Sequence, residues 1–124
     1  MVDARRATAL TLALAACGAA AHAGTPTPGR YDGRLCVAVG DAPADCGRAR
    51  VEVRSARHIT VRIADLVYRL ELASSQVDVV LMHGTMQIDG FFASYEWDGA
   101  TLRFLDLEKR THYRVELPAR ERMR

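Results

Sequence analysis

His58–Leu72 reads HITVRIADLVYRLEL. Ile59, Val61 and Ile63 alternate with Thr60 and Arg62. After Ala64-Asp65, Leu66, Tyr68, Leu70 and Leu72 share one parity, with Arg69 and Glu71 on the other. A period of two gives a strand one apolar and one wet face, and two such runs joined by two residues form a hairpin. The same alternation recurs outward in both directions. Val51 and Val53 flank Glu52, and Tyr113, Val115 and Leu117 alternate with Arg114 and Glu116. No segment carries the 3.6-residue period of an amphipathic helix.

Turn signals divide the chain at short intervals. Asp98-Gly99 is the strongest, because a tight type I′ hairpin needs positive φ. Gly84, Asp89-Gly90, Ala64-Asp65 and Glu108-Lys109 are weaker. The predicted strands are 31–39, 48–54, 58–63, 66–72, 76–83, 85–89, 91–97, 101–107 and 111–117, eight or nine in all. The fold class is all-β, a small antiparallel meander. Closure into a barrel would remove exposed edges, and a two-sheet sandwich is the alternative.

The chain has 124 residues, room for one domain, and a net charge of +2. Lys and Arg are distributed along it with no basic-aromatic platform, which points away from nucleic acid. Residues 1–23 read as a signal peptide: MVDARR, then the apolar run ATALTLALAACGAAA, then Ala21-His22-Ala23 as a cleavage site before Gly24. The run is too short to span a bilayer as a stable anchor. Within it, Leu14-Ala15-Ala16-Cys17 resembles a bacterial lipobox, with Cys17 as the lipidated residue. The expectation is export to the periplasm, either freely soluble or tethered to the outer membrane through Cys17. Residues 24–30 (GTPTPGR) form a linker, 31–118 the domain, and 119–124 (ARERMR) a charged tail.

Three cysteines leave Cys36 and Cys46 to pair as a disulfide once Cys17 is acylated or removed. Their ten-residue separation and the absence of a nearby histidine favour this over zinc.

The candidate binding surface is Val80, Met82, Phe91 and Phe92. In VDVVLMHG, Val77, Val79 and Leu81 face the core, so Val80 and Met82 point where water is expected. Val67, Leu105 and Leu107 do likewise, and several such residues on neighbouring strands would form a patch. A β-bulge at Val79-Val80 that switches parity, or a cover supplied by the linker, is the alternative explanation. Phe91 and Phe92 cannot both face inward from a regular strand. Tyr95 and Trp97 share a parity opposite Leu102 and Phe104, as core aromatics do.

Three functions follow. The first is a non-enzymatic envelope protein that binds an apolar ligand or another envelope component at its surface or mouth, with no cofactor. The second is an inhibitor or assembly factor acting by protein contact. In size, export and architecture the domain is similar to the small periplasmic barrels that inhibit lysozymes, a likeness of fold without their motifs. Such an inhibitor would use the loop Gly40–Asp45, held by the disulfide. The third is a Cu(I) site built from the soft ligands Met82, His83 and Met86. No nucleophile elbow, metalloprotease helix or phosphate loop is present, and an enzyme is not expected.

Overall fold

The computed structural model describes residues 26–117. The readings of the signal peptide, Cys17 and the charged tail lie outside those residues. Eight strands follow in order: β1 (Gly29–Val39), β2 (Asp45–Val53), β3 (His58–Ile63), β4 (Leu66–Leu72), β5 (Gln76–His83), β6 (Met86–Asp98), β7 (Thr101–Asp106) and β8 (Thr111–Glu116). Each pairs antiparallel with its sequence neighbours, and β8 returns to β1, so the meander is a closed barrel and not a sandwich.

His58–Leu72 forms the hairpin its alternation requires, with Ile63 opposite Leu66 and Val61 opposite Tyr68. Ala64 begins the two-residue turn at φ 54°. The Asp-Gly hairpin is displaced by one residue. Asp98 pairs with Thr101, so Gly99 and Ala100 form the turn, and of these only Gly99 has positive φ. Glycine at the first central position is the requirement of a type II′ turn rather than the expected I′.

Eight strands form, not nine, because the segments 85–89 and 91–97 are one strand. Asp89-Gly90 does not turn. β5 and β6 keep pairing through it, with Leu81 opposite Asp89 and Val80 opposite Gly90. The irregularity lies one step further on, where Met82 faces Gln87 and Ile88 is the extra residue. This bulge is on β6, not at Val79-Val80, where the ladder is regular. Val80 and Met82 therefore keep their outward parity. β2 starts three residues earlier than predicted, at Asp45, because Cys46 lies directly across the ladder from Cys36 and is bonded to it. β1 starts at Gly29, inside the stretch read as linker.

The inward rows fill the barrel. Val51, Val61, Val77, Val79 and Leu102 are completely buried. An aromatic cluster occupies one half: Tyr113 stacks on Phe104 (ring centroids 4.9 Å apart) and on Phe91 (5.6 Å), and Tyr68 meets Tyr113 edge-on at 6.1 Å. The other half holds Tyr31, Leu72, Ala93 and Leu117, with Tyr95 and Trp97 packed against them. Tyr31 and Tyr95 turn their hydroxyls outward to donate to the carbonyls of Thr27 and Ala73. Apolar rings thus stay dry while their polar tips are satisfied at the rim. Both ends of the described chain lie at this lower pole. The upper pole carries the loops 40–44, 64–65, 84–85 and 107–110.

Candidate functional site

The interior is packed with side chains, and the hollows lie on the wall and the rim. The most apolar hollow is a groove of about 510 Å³ on the outside of β6, β7, β8 and β1. β7 creates it. β6 is thirteen residues long, yet β7 pairs with it only from Tyr95 to Asp98. Above Tyr95 the two strands part, and a hollow opens over the backs of Phe104 and Tyr113. Ala38 and Ala44 keep its β1 side low, Leu105 contributes an apolar wall, and Glu96, Arg103 and His112 give it a polar margin. Ala38 and Leu105 both lie opposite His112 in register, so one β8 histidine sits between two apolar neighbours. Arg103 is held by Asp98 at 3.0 Å and Arg114 by Glu116 at 2.8 Å. The disulfide closes the far end, with Cys36 only 1% exposed.

The four residues expected to share a surface divide. Phe91 faces inward and stacks on Tyr113. Phe92 faces outward and is 67% exposed. Val80 and Met82 also face outward, lining with Val67 a second and more polar hollow of about 520 Å³ over β2 to β5. Phe92 lies across from Asp78 at the edge of that face. Leu105 joins the first groove, and Leu107 stands 77% exposed above it. The outward parity of Leu105 was readable in sequence. Its partners on β1 and β8 were not, because only barrel closure brings them together.

The structure splits the methionine-histidine trio as well. His83 and Met86 face each other across the hairpin, whereas Met82 is on the opposite face of its strand. Among the described residues no group of three or more His, Cys, Asp or Glu could hold a metal ion.

Sequence reading missed a polar cluster at the upper pole. Asp89 from β6 and Asp106 from β7 both point inward, and Lys109 reaches back from the β7–β8 loop to make a short ion pair with Asp89. Its ammonium lies 3.9 Å from Asp106 Oδ2, an atom that is buried without a hydrogen bond. Asp106 Oδ1 accepts from the Lys109 amide at 3.4 Å. The Lys109 hydrogen bond holds the Asp89 carboxyl below its usual range, and the same contact raises the Lys109 ammonium. Burial pushes the Tyr113 phenol up to about 12, with Tyr68, Asp106 and Asp89 adding to it. Tyr68 is raised by burial and by Asp89. The cluster caps the aromatic core with one neutralising cation.

One further arrangement has the order of a hydrolase triad. Ser55 Oγ lies 3.3 Å from His58 Nδ1, and His58 Nε2 lies 3.6 Å from Glu71. The Ser55 oxygen already accepts from the amides of Arg57 and His58, Ser55 is half-buried, and His58 and Glu71 are exposed on the rim. This is the hydrogen bonding of a tight β2–β3 turn.

The fold and the groove define a class: a small, disulfide-containing, eight-stranded antiparallel barrel with a packed interior. No family model, characterised protein or solved structure matched the chain.

Proposed function

We propose that this chain is a non-enzymatic exported envelope protein that binds an apolar ligand or another envelope component through the groove on β6, β7, β8 and β1, with Cys17 as its site of acylation when it is tethered. The observation that carries this reading is the pairing of a packed interior with an apolar hollow outside it. A barrel of eight strands encloses little more than its own side chains, and here aromatic rings occupy that space. The test uses an apolar dye, anilinonaphthalene sulfonate, with the native chain and with Leu105→Glu. Saturable fluorescence enhancement that the substitution removes is expected. Equal enhancement in both, or none in either, would reject the groove.

The stapled loop favours a second reading, inhibition by protein contact. Residues 40–44 are tied at the base by the disulfide, the Gly40 amide donates to the Arg110 carbonyl at 2.8 Å, and the Ala42 amide donates to Val39 at 3.0 Å. Reduced loop entropy in the free state is what a rigid inhibitory loop needs. Asp41→Lys would abolish inhibition of a lysozyme and leave dye binding unchanged.

A further inference from the structure

The barrel brings together arginines that are scattered in sequence, and it does so in an unfavourable way. On the outward face of β1, β2 and β3, Arg34 lies directly opposite Arg48, and Arg50 directly opposite Arg62. Like charges directly across a ladder destabilise a sheet. Arg48 and Arg50 are also two apart on one strand, so the four guanidinium groups occupy a continuous area. Arg30 and Arg69 extend it on either side. Carboxylates answer some of this charge: Asp32 lies opposite Arg50, Glu52 opposite Arg30, and Glu116 is 3.8 Å from Arg34. Among the described residues, no ion pair answers Arg48, Arg62 or Arg69. A hollow of about 280 Å³ opens within this face, lined by Arg30, Arg50 and Arg62 around Glu52.

We propose that the outer face of β1 to β4 is a docking surface for a membrane bearing anionic phospholipid headgroups. Charge complementarity supplies the first reason. Arginine binds phosphate with a planar fork of donors, and each basic residue near an anionic bilayer is worth about 1 kcal/mol. The entry of the chain supplies the second. The barrel begins at Gly29 of β1, the strand carrying Arg30 and Arg34, and the sequence before it contains the apolar run of residues 7–21. In the tethered reading proposed above, the acyl group is carried by Cys17, twelve residues before Gly29, and would hold the β1 entry of the barrel near the headgroups. The two surfaces adjoin at β1, where the groove uses Cys36 and Ala38 and the arginine face uses Arg30 and Arg34. Leu105 on β7 and Arg48 and Arg62 on β2 and β3 are not shared, so substitutions at those positions test the two separately.

The experiment is vesicle co-sedimentation of the full chain at limiting lipid, comparing phosphatidylcholine alone with an equal mixture of phosphatidylcholine and phosphatidylglycerol. The ratio of the two partition coefficients reads the electrostatic part, and the leader is common to every arm. The native chain is expected to prefer the anionic vesicles, with the preference collapsing at high salt. Arg48→Gln/Arg62→Gln should lower the ratio roughly thirtyfold, from about 1 kcal/mol per arginine, while its far-UV circular dichroism is unchanged. Arg110→Gln at the upper pole should leave the ratio as it was. An unchanged ratio in the double variant overturns the proposal, as does a native chain indifferent to vesicle charge. Stabilisation by soluble dextran sulfate without vesicle preference would also overturn it, assigning the face to a free polyanion.

Discussion

Gly33→Ala tests the geometry of closure. Gly33 faces inward on β1, where the end of β8 crosses closest to it. A Cβ built there would lie well under 3.0 Å from the Glu116 carbonyl oxygen, with Val51 Cγ2 at 3.4 Å behind it. Two effects compete. Replacing glycine by alanine at a compatible site stabilises by about 0.4–1 kcal/mol through the unfolded chain. Against this, the obstacle is backbone, so no side chain can rotate away and the β8 end must move outward by roughly 1 Å. Overpacking that shifts backbone costs about 1–3 kcal/mol or more. The seam must lose ladder bonds as well, so a net loss of about 2–3 kcal/mol is expected, or a Tm lower by roughly 10–20 °C for a domain of this size. Urea unfolding should show a lower midpoint with an unchanged slope. Gly47→Ala is the control, because its Cβ would meet only Ile63 Cδ1 at 3.4 Å. It should be neutral or mildly stabilising. A Gly33→Ala variant within about 0.5 kcal/mol of the native protein would refute the argument that β8 closes on a position without a side chain.

Other expectations follow from the same structure. Cys36→Ser/Cys46→Ser should cost about 2.5–3 kcal/mol, the chain entropy of a loop of roughly ten residues, read as a lower urea midpoint that reductant reproduces in the native protein. Lys109→Gln should remove an acid-dependent part of the stability. Asp89 has a lowered pKa in the folded state, so its contribution is complete above its unfolded value of 3.8 and is lost as pH falls through the folded value. The Tm profiles of variant and native protein should therefore converge in acid; a constant gap down to the lowest pH would disprove the pairing. Tyr113, raised to about 12, favours the folded state below its unfolded value of 10.0, and that contribution is lost as pH rises toward 12. Phenolate absorbance should contain a late component that Tyr113→Phe deletes.

The alternation of HITVRIADLVYRLEL was enough to establish β class and register, because a period of two fixes which side chains are buried. Closure was only one of two readings of a chain of short, consecutively joined strands, and the β1–β8 ladder decides it against the sandwich. The division of strands was harder to read. Asp89-Gly90 has turn chemistry, but the Asp89 side chain accepts from the Gly90 amide within a continuing strand, and the bulge at Ile88 absorbs the irregularity. Tertiary pairing overrode a local signal. The groove and the arginine face were hidden for one shared reason. Leu105 and Ala38 are far apart in sequence, as are Arg48 and Arg62, and they become neighbours only through the ladders. Arginines that appear evenly spread along the chain are gathered by the register. The upper-pole cluster has the same origin: Asp89 and Lys109 are twenty residues apart.

An even number of strands in a meander returns the chain to the pole where it started. Gly29 leads into β1 and Leu117 leaves β8 there, and β1 and β8 are hydrogen-bonded neighbours. Tension applied between the two ends therefore peels this ladder from one end, rupturing its bonds in succession rather than shearing them together. The barrel is mechanically soft in that direction, whatever its thermal stability. The disulfide limits how far β1 can yield. β1 is bonded covalently to β2 through Cys36 and Cys46, so it can peel from β2 no further than Cys36, while the seam with β8 opens from Glu116 toward Thr111.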